Sequence, residues 1–82
     1  MNMTHQLIIT DTPDVSLGEA HESIHTLYKQ EGLPGIECFD KALDIIEESE
    51  ISGSSIAFSG SFEKCKKYAT LLAGYGLIHR II

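Results

Sequence analysis

The stretch Ser55-Ile56-Ala57-Phe58-Ser59-Gly60-Ser61 decides how this chain is read. A short run rich in β-branched and aromatic side chains reads as a strand over 55–59. Gly60 breaks the run, and Ser61 can cap a helix that follows. Alternation along the strand places Ile56 and Phe58 on one face. A strand joined directly to a helix makes this a chain of mixed helix and strand.

The pattern extends in both directions. Upstream, Ile36, Phe39, Leu43 and Ile46 recur at helical spacing, flanked by Ala42 and Ile45, and predict a helix over 36–50 that stops before Gly53. Its late acids, Glu47, Glu48 and Glu50, oppose the helix dipole at some cost. Leu33-Pro34-Gly35 makes a tight connection, with the proline tolerated in the first turn. Before it, Leu17, Ala20, Ile24, Leu27 and Tyr28 predict a helix over 16–31, ended by Gly32. Ser16 and Glu19 form a capping box, and Val15 and Ala20 stand where a hydrophobic staple forms. Leu7-Ile8-Ile9-Thr10, closed by Asp11-Thr12-Pro13-Asp14, predicts a first strand over 6–10.

Downstream, a helix over 61–73 is expected to bury Phe62, Cys65, Ala69 and Leu72, with Tyr68 beside them. Gly74 or Gly76 supplies its terminal turn, and 77–82 is a last strand. The order is β-α-α-β-α-β. The expected fold is α+β: one domain over 1–82, with a three-stranded antiparallel sheet and helices packed mainly on one face. In the last strand Leu77 and Ile81 share one face, and Ile78 and Ile82 the other. A single helix layer cannot cover both pairs, so self-association through the sheet is expected.

A chain of 82 residues supports one domain, which buries roughly 60% of the surface its unfolded form exposes. The hydrophobic fraction of 43% and charged fraction of 22% are ordinary for a folded chain. There is no apolar run long enough to span a membrane, and Met1-Asn2-Met3-Thr4-His5 does not read as a signal peptide. Cys38 and Cys65 fall inside helical patterns and read as reduced core thiols of a cytoplasmic protein. The net charge of −6 argues against a nucleic-acid partner. Glu37, Asp40, Asp44, Glu47, Glu48 and Glu50 cluster around the single base Lys41, whereas Lys64, Lys66 and Lys67 make a locally basic stretch. Both read as solvated helix faces, with a basic partner for the acidic face as the sharper alternative.

The order of elements, the run Gly32-Leu33-Pro34-Gly35-Ile36 and the segment Lys41-Ala42-Leu43-Asp44-Ile45-Ile46-Glu47 together resemble the C-terminal domain of the bacterial ribosomal stalk protein. They resemble more loosely the Clp protease adaptor of the same fold. The stalk pattern G-L-G-L-K-E-A-K-D-L-V-E fits with an insertion before Lys41. The stretch from Ser61 to Ile82, with Lys66, Lys67, Leu72 and Gly76, is similar to the stalk domain's lysine-rich helix, turn and final strand. The resemblance covers about residues 6–82 and implies a compact docking domain. It places the docking surface at Gly32, Leu33, Gly35 and Lys41. Separately, Leu71 falls on the outer side of the last helix, away from Phe62 and Ala69, and is a candidate exposed anchor. Two departures set the partners apart. The first helix, with Glu19, Glu22 and Lys29, lacks the basic surface by which the stalk family meets translational GTPases. Neither the Asn-Asp pair nor the second-helix histidine by which the adaptor reads N-terminal residues is present.

His21-Glu22-Ser23-Ile24-His25 matches H-E-x-x-H, the helical spacing that sets two histidines on one face for zinc, with the glutamate as base. A working site needs a third protein ligand, an open position for water and a substrate cleft, and ligands elsewhere are scarce: His5 and His79 fall on strands. The stronger reading is an amphipathic helix whose histidines border its apolar stripe while Glu22 faces water. Ser59-Gly60-Ser61 can hold an anion at a helix start, but a helix cap explains it better. The acids of the second helix fit an exposed face better than an acid/base pair. The expected function is a non-catalytic protein-binding module: an adaptor, inhibitor or regulatory subunit that needs no cofactor. A very small zinc-dependent hydrolase built on His21 and His25 is one alternative, and a structural oligomer subunit another.

Overall fold

The computed structural model describes residues 4–82, so the signal-peptide reading over Met1–Met3 lies outside the described residues. Elements follow in the order β1 (His5–Thr10), α1 (Leu17–Gln30), α2 (Gly35–Ser52), β2 (Ser54–Gly60), α3 (Phe62–Gly74) and β3 (Ile78–Ile81). The fold is α+β with a three-stranded antiparallel sheet, as the sequence predicts, and no strand interrupts the second helix. Strand order is β2-β1-β3, so β1 is central and α3 carries the chain from one sheet edge to the other.

Local chemistry explains the boundaries. The hydroxyls of Ser16 and Ser61 accept the backbone N–H of Glu19 and Lys64, each at 3.2 Å, and cap α1 and α3. The Ser16 hydroxyl also donates to the Glu19 carboxylate at 3.1 Å. The capping pair is therefore joined through its side chains, rather than by the glutamate reaching the backbone. Both helices end the same way. After α1, Gly32 has φ +90°, and the N–H groups of Gly32 and Leu33 bond the carbonyls of Lys29 and Tyr28. After α3, Gly76 has φ +82°, and Gly76 and Leu77 bond Ala73 and Leu72. These are paired Schellman turns, and Gly76 rather than Gly74 supplies the left-handed residue. Pro34 stands just before α2, as its cap residue.

Leu7 and Ile9 of β1 are fully buried beneath Ile24, Leu27, Ala42, Cys65, Tyr68 and Leu72 of the three helices. Three facings differ from the sequence reading. Ile56 and Phe58 do not share a face. Pairing runs Leu7 with Phe58 and then Ile8 with Ile56, which leaves Ala57 as an extra residue in a bulge. Ala57 and Phe58 are buried, and Ile56 turns outward. The second helix is also rolled about its axis. It buries Cys38, Ala42, Ile45, Ile46 and Ser49, and leaves Ile36, Phe39 and Leu43 exposed. Cys38 and Ala42 are small, so this side approaches the core more closely than the bulky stripe could. Finally, Leu17 and Phe62 are exposed, because each opens its helix and projects beyond the core. The Phe62 ring packs edge-on against His5, with centroids 5.3 Å apart.

The cysteines Cys38 and Cys65 are free and buried. No helix among the described residues is long and apolar enough to cross a membrane.

Gly60 is where the strand meets the cap. A Cβ built there falls 2.8 Å from the Phe58 ring, which packs edge-on against Tyr68 with centroids 5.0 Å apart. Gly60→Ala is expected to destabilise by about 1–3 kcal/mol through overpacking. The result should be a lower urea midpoint with an unchanged denaturant slope. An unchanged midpoint would show that the ring moves aside freely.

Candidate protein-docking surface

The helical hairpin α1–α2 carries most of the exposed apolar side chains on the helical side of the molecule. Leu17 is 61% exposed, Ile36 80%, Phe39 53% and Leu43 41%. His21 connects the two helices. Its ring packs edge-on against Phe39 at 4.6 Å between centroids, and its Nε2 lies 3.1 Å from the Phe39 carbonyl oxygen, to which the Nε2–H tautomer donates. His25 lies 6.0 Å from His21, centroid to centroid. The His21–Phe39 contact joins the helices along a shallow groove lined by His21 and His25 from α1 and by Phe39 from α2, and the exposed Ile36 and Leu43 continue the same stripe of α2 on either side of Phe39. Leu17 stands apart from it, around a small cavity with Ile46, Ser49 and Glu50.

Acids rim this groove. On α2, Asp40, Asp44 and Glu47 project one helical step outward from the apolar stripe, and Glu22 does the same on α1. All four are exposed. Among the described residues the one ion pair is Lys64 with Glu31, at 3.4 Å, so the rim carboxylates have no cation at ion-pair distance.

Five residues expected at the docking surface from sequence are placed as follows. Gly32 and Gly35 are exposed in the turn and at the start of α2. Lys41 is exposed, with its ammonium 5.0 Å from the Tyr28 ring centroid, and it lines an open cleft of about 330 Å³ with Tyr28, Ile45, Ile56, Phe58 and Ser59. Leu33 and Leu71 are half-buried and pack against the core. Leu71 is therefore not the exposed anchor expected. The arc of α3 facing the core is wide enough to take in its flank, and an aspartate at either leucine would set a charge against the core.

His5 and His79 are set apart from the His21–His25 pair. His5 faces Phe62, and His79 Nδ1 lies 3.1 Å from the Leu77 carbonyl oxygen. Among the described residues there is no group of three or more His, Cys, Asp or Glu side chains that could hold a metal. Binding through Nε2 of His21 would also compete with its contact to the Phe39 carbonyl.

The groove escaped the sequence reading because its largest members were counted as core. One signal was available. The apolar arc of α2 is too wide for one face, and Cys38, Ala42 and Ser49 mark a second, small-residue side.

No family model matches the chain, and comparison with curated proteins likewise finds no match.

A polar cluster braces the hairpin's end against α3. The Tyr68 hydroxyl donates to the Glu31 carboxylate, which Lys64 also contacts. That hydrogen bond, followed by the contact and charge of Lys64, outweighs desolvation and lowers the Glu31 pKa. The Tyr68 phenol is pushed up to about 12, by burial first and then by Glu31. Tyr28, whose hydroxyl donates to the Ala57 carbonyl, is pushed up to about 12 by burial and then by the Glu31 charge. Both phenols ionise more easily in the unfolded chain. Their contribution to stability is intact below pH 10.0 and is lost as pH rises toward about 12. Glu31 works in the other direction: its contribution is present above pH 4.5 and fades as pH falls through its lowered folded value. In Tyr68→Phe both the alkaline and the acid slopes of unfolding free energy should flatten, with a loss of about 1 kcal/mol at neutral pH. Urea titrations across the pH range check this, and slopes identical to wild type would refute the pairing.

Proposed function

We propose that this chain is a non-catalytic protein-docking module, an adaptor, inhibitor or regulatory subunit working in the cytoplasm. The observation that carries this reading is the uncovered apolar groove of the α1–α2 hairpin. Ile36, Phe39 and Leu43 are exposed along one stripe of α2 in a chain that has little apolar surface to spare. Surfaces of this kind, with aromatic anchors inside a charged rim, are how small domains recognise other proteins. The resemblance to the stalk domain and the Clp adaptor supports the same class. The buried free thiols of Cys38 and Cys65 support a reducing compartment.

Capture from the native lysate tests the reading. The wild-type chain should retain a protein that Phe39→Ser releases, with the variant's circular dichroism unchanged. A wild-type chain that retains nothing above an unrelated acidic domain would defeat it.

A second reading, assembly of copies through the sheet, is favoured by the other uncovered surface. The sheet face turned away from the helices carries Ile8, Ile56, Ile78 and Ile82, of which the last three are 45%, 55% and 58% exposed. Its remaining members are Gln6, Thr10, Ser54, Ser59 and Arg80. No acid stands among them, so two copies of an acidic chain can meet there without facing carboxylates. Leu77 and Ile81 turn toward the helices, as the alternation predicts. Sedimentation at high micromolar concentration should show dimers that Ile78→Lys removes, and a wild-type monomer under those conditions would exclude this assembly.

A further inference from the structure

The groove on the α1–α2 hairpin has a chemistry that selects among partners. Its floor is apolar and aromatic over about two helical turns of α2, from Ile36 through Phe39 to Leu43, with His21 and His25 beside it. Two antiparallel helices with an uncovered seam offer the seat that a third helix takes in a bundle. Anchors spaced at i, i+3, i+4 and i+7 on such a helix would meet the levels set by Ile36, Phe39 and Leu43. The rim is acidic on the α2 side, with Asp40, Asp44 and Glu47, whereas the α1 side carries Glu22 and, two turns further on, Lys29; the three α2 acids have no cation at ion-pair distance among the described residues. Lys29 of α1 and Lys41 of α2 are the bases nearest in sequence, and Lys41 lies over Tyr28.

From this we infer that the groove binds a basic amphipathic helix of a partner protein, with apolar anchors against Ile36, Phe39 and Leu43 and lysines or arginines against the acids of α2. The inference rests on the docking reading and names the partner's chemistry. A second copy of the chain is a poor occupant. Its lysine-bearing helix, α3, turns Cys65, Tyr68, Ala69 and Leu72 into its own core. Lys64 is held by Glu31, and Lys67 lies 5.3 Å from the Tyr68 ring centroid. What α3 shows to solvent at its middle is Lys66 and Thr70, without an apolar stripe.

The test titrates the isotopically labelled full chain with three synthetic peptides. The first is a helix-forming peptide of leucine and lysine, with leucines at i, i+3, i+4 and i+7. The second is a scramble of the same composition, and the third replaces every lysine with glutamate. The first should shift the resonances of His21, Ile36, Phe39 and Leu43, gain helicity on binding, and weaken as salt is raised. The other two should bind at least about tenfold more weakly. Phe39→Ser, and separately the double change Asp40→Lys with Asp44→Lys, should each weaken the first peptide on the order of tenfold while leaving the rest of the spectrum in place.

Equal binding of the scramble would reduce the effect to charge alone and overturn the inference. Equal binding of the glutamate peptide would remove the rim's role and overturn it too. It also fails if the shifts map to Ile56, Ile78 and Ile82, or if the groove resonances move with protein concentration before any peptide is added. If the chain captures a lysate protein that Phe39→Ser does not release, the docking reading stands on another surface and the inference about this groove falls.

Discussion

Backbone pairing on both sides of β1 is the constraint on which the other elements depend. β2 and β3 pair with β1 and not with each other, so the sheet exists only while His5–Thr10 is extended between them. Burial reinforces the pairing. Leu7 and Ile9 are sealed beneath the helices, and Ile8 on the opposite face is nearly as well covered by its neighbours. The Thr12 hydroxyl, just after β1, accepts the N–H of Ile78 at 3.0 Å, and the N–H of Asp11 donates to the Gly53 carbonyl, so the end of β1 ties down both outer strands. Hydrogen bonds of this kind add modestly one by one, but leaving their buried partners unpaired would be expensive.

Placing a strand pair around one central strand determines where the helices go. The α1–α2 hairpin returns the chain to one sheet edge, and α3 crosses to the other. All three therefore compete for the single face that shows Leu7 and Ile9. A three-stranded face is narrow, and three helices cannot all turn their widest apolar arcs toward it. In α2 the small residues Cys38 and Ala42 allow close approach, and the bulky stripe of Ile36, Phe39 and Leu43 is left at the hairpin seam. The uncovered groove and the uncovered outer sheet face thus have a common origin: more apolar positions than a layer this small can cover.

Charge sharpens the contrast between the two surfaces. The carboxylates that rim the groove are unpaired among the described residues, whereas Glu31, at the far end of the same hairpin, is held by Tyr68 and Lys64. One acid thus serves the fold, and the others are left to face solvent or a partner. Exposed unpaired carboxylates add little to stability, so their clustering beside an apolar stripe contributes little to holding the fold.

The sequence by itself determined the elements and their order, because these follow from local chemistry. Period-2 and period-3.6 patterns, the capping serines Ser16 and Ser61 and the glycines after α1 and α3 act within a few residues of where they stand. The alternation of Leu77 and Ile81 with Ile78 and Ile82 was equally legible, since a regular strand fixes which side chains share a face. Only the tertiary structure decided which of two adjacent arcs of α2 turns inward. Periodicity gives the angular width of an apolar stripe, not its direction, and close packing against β1 favoured the small residues over the large ones. The facing of Ile56 was decided in the same way. The bulge at Ala57 is a property of two strands in register, and a single strand carries no local mark of the extra residue opposite its partner. The apolar groove belongs to this second kind: His21 and Phe39 come together, with Leu43 left exposed beside them, only when two helices, each amphipathic in its own right, pack at one particular roll.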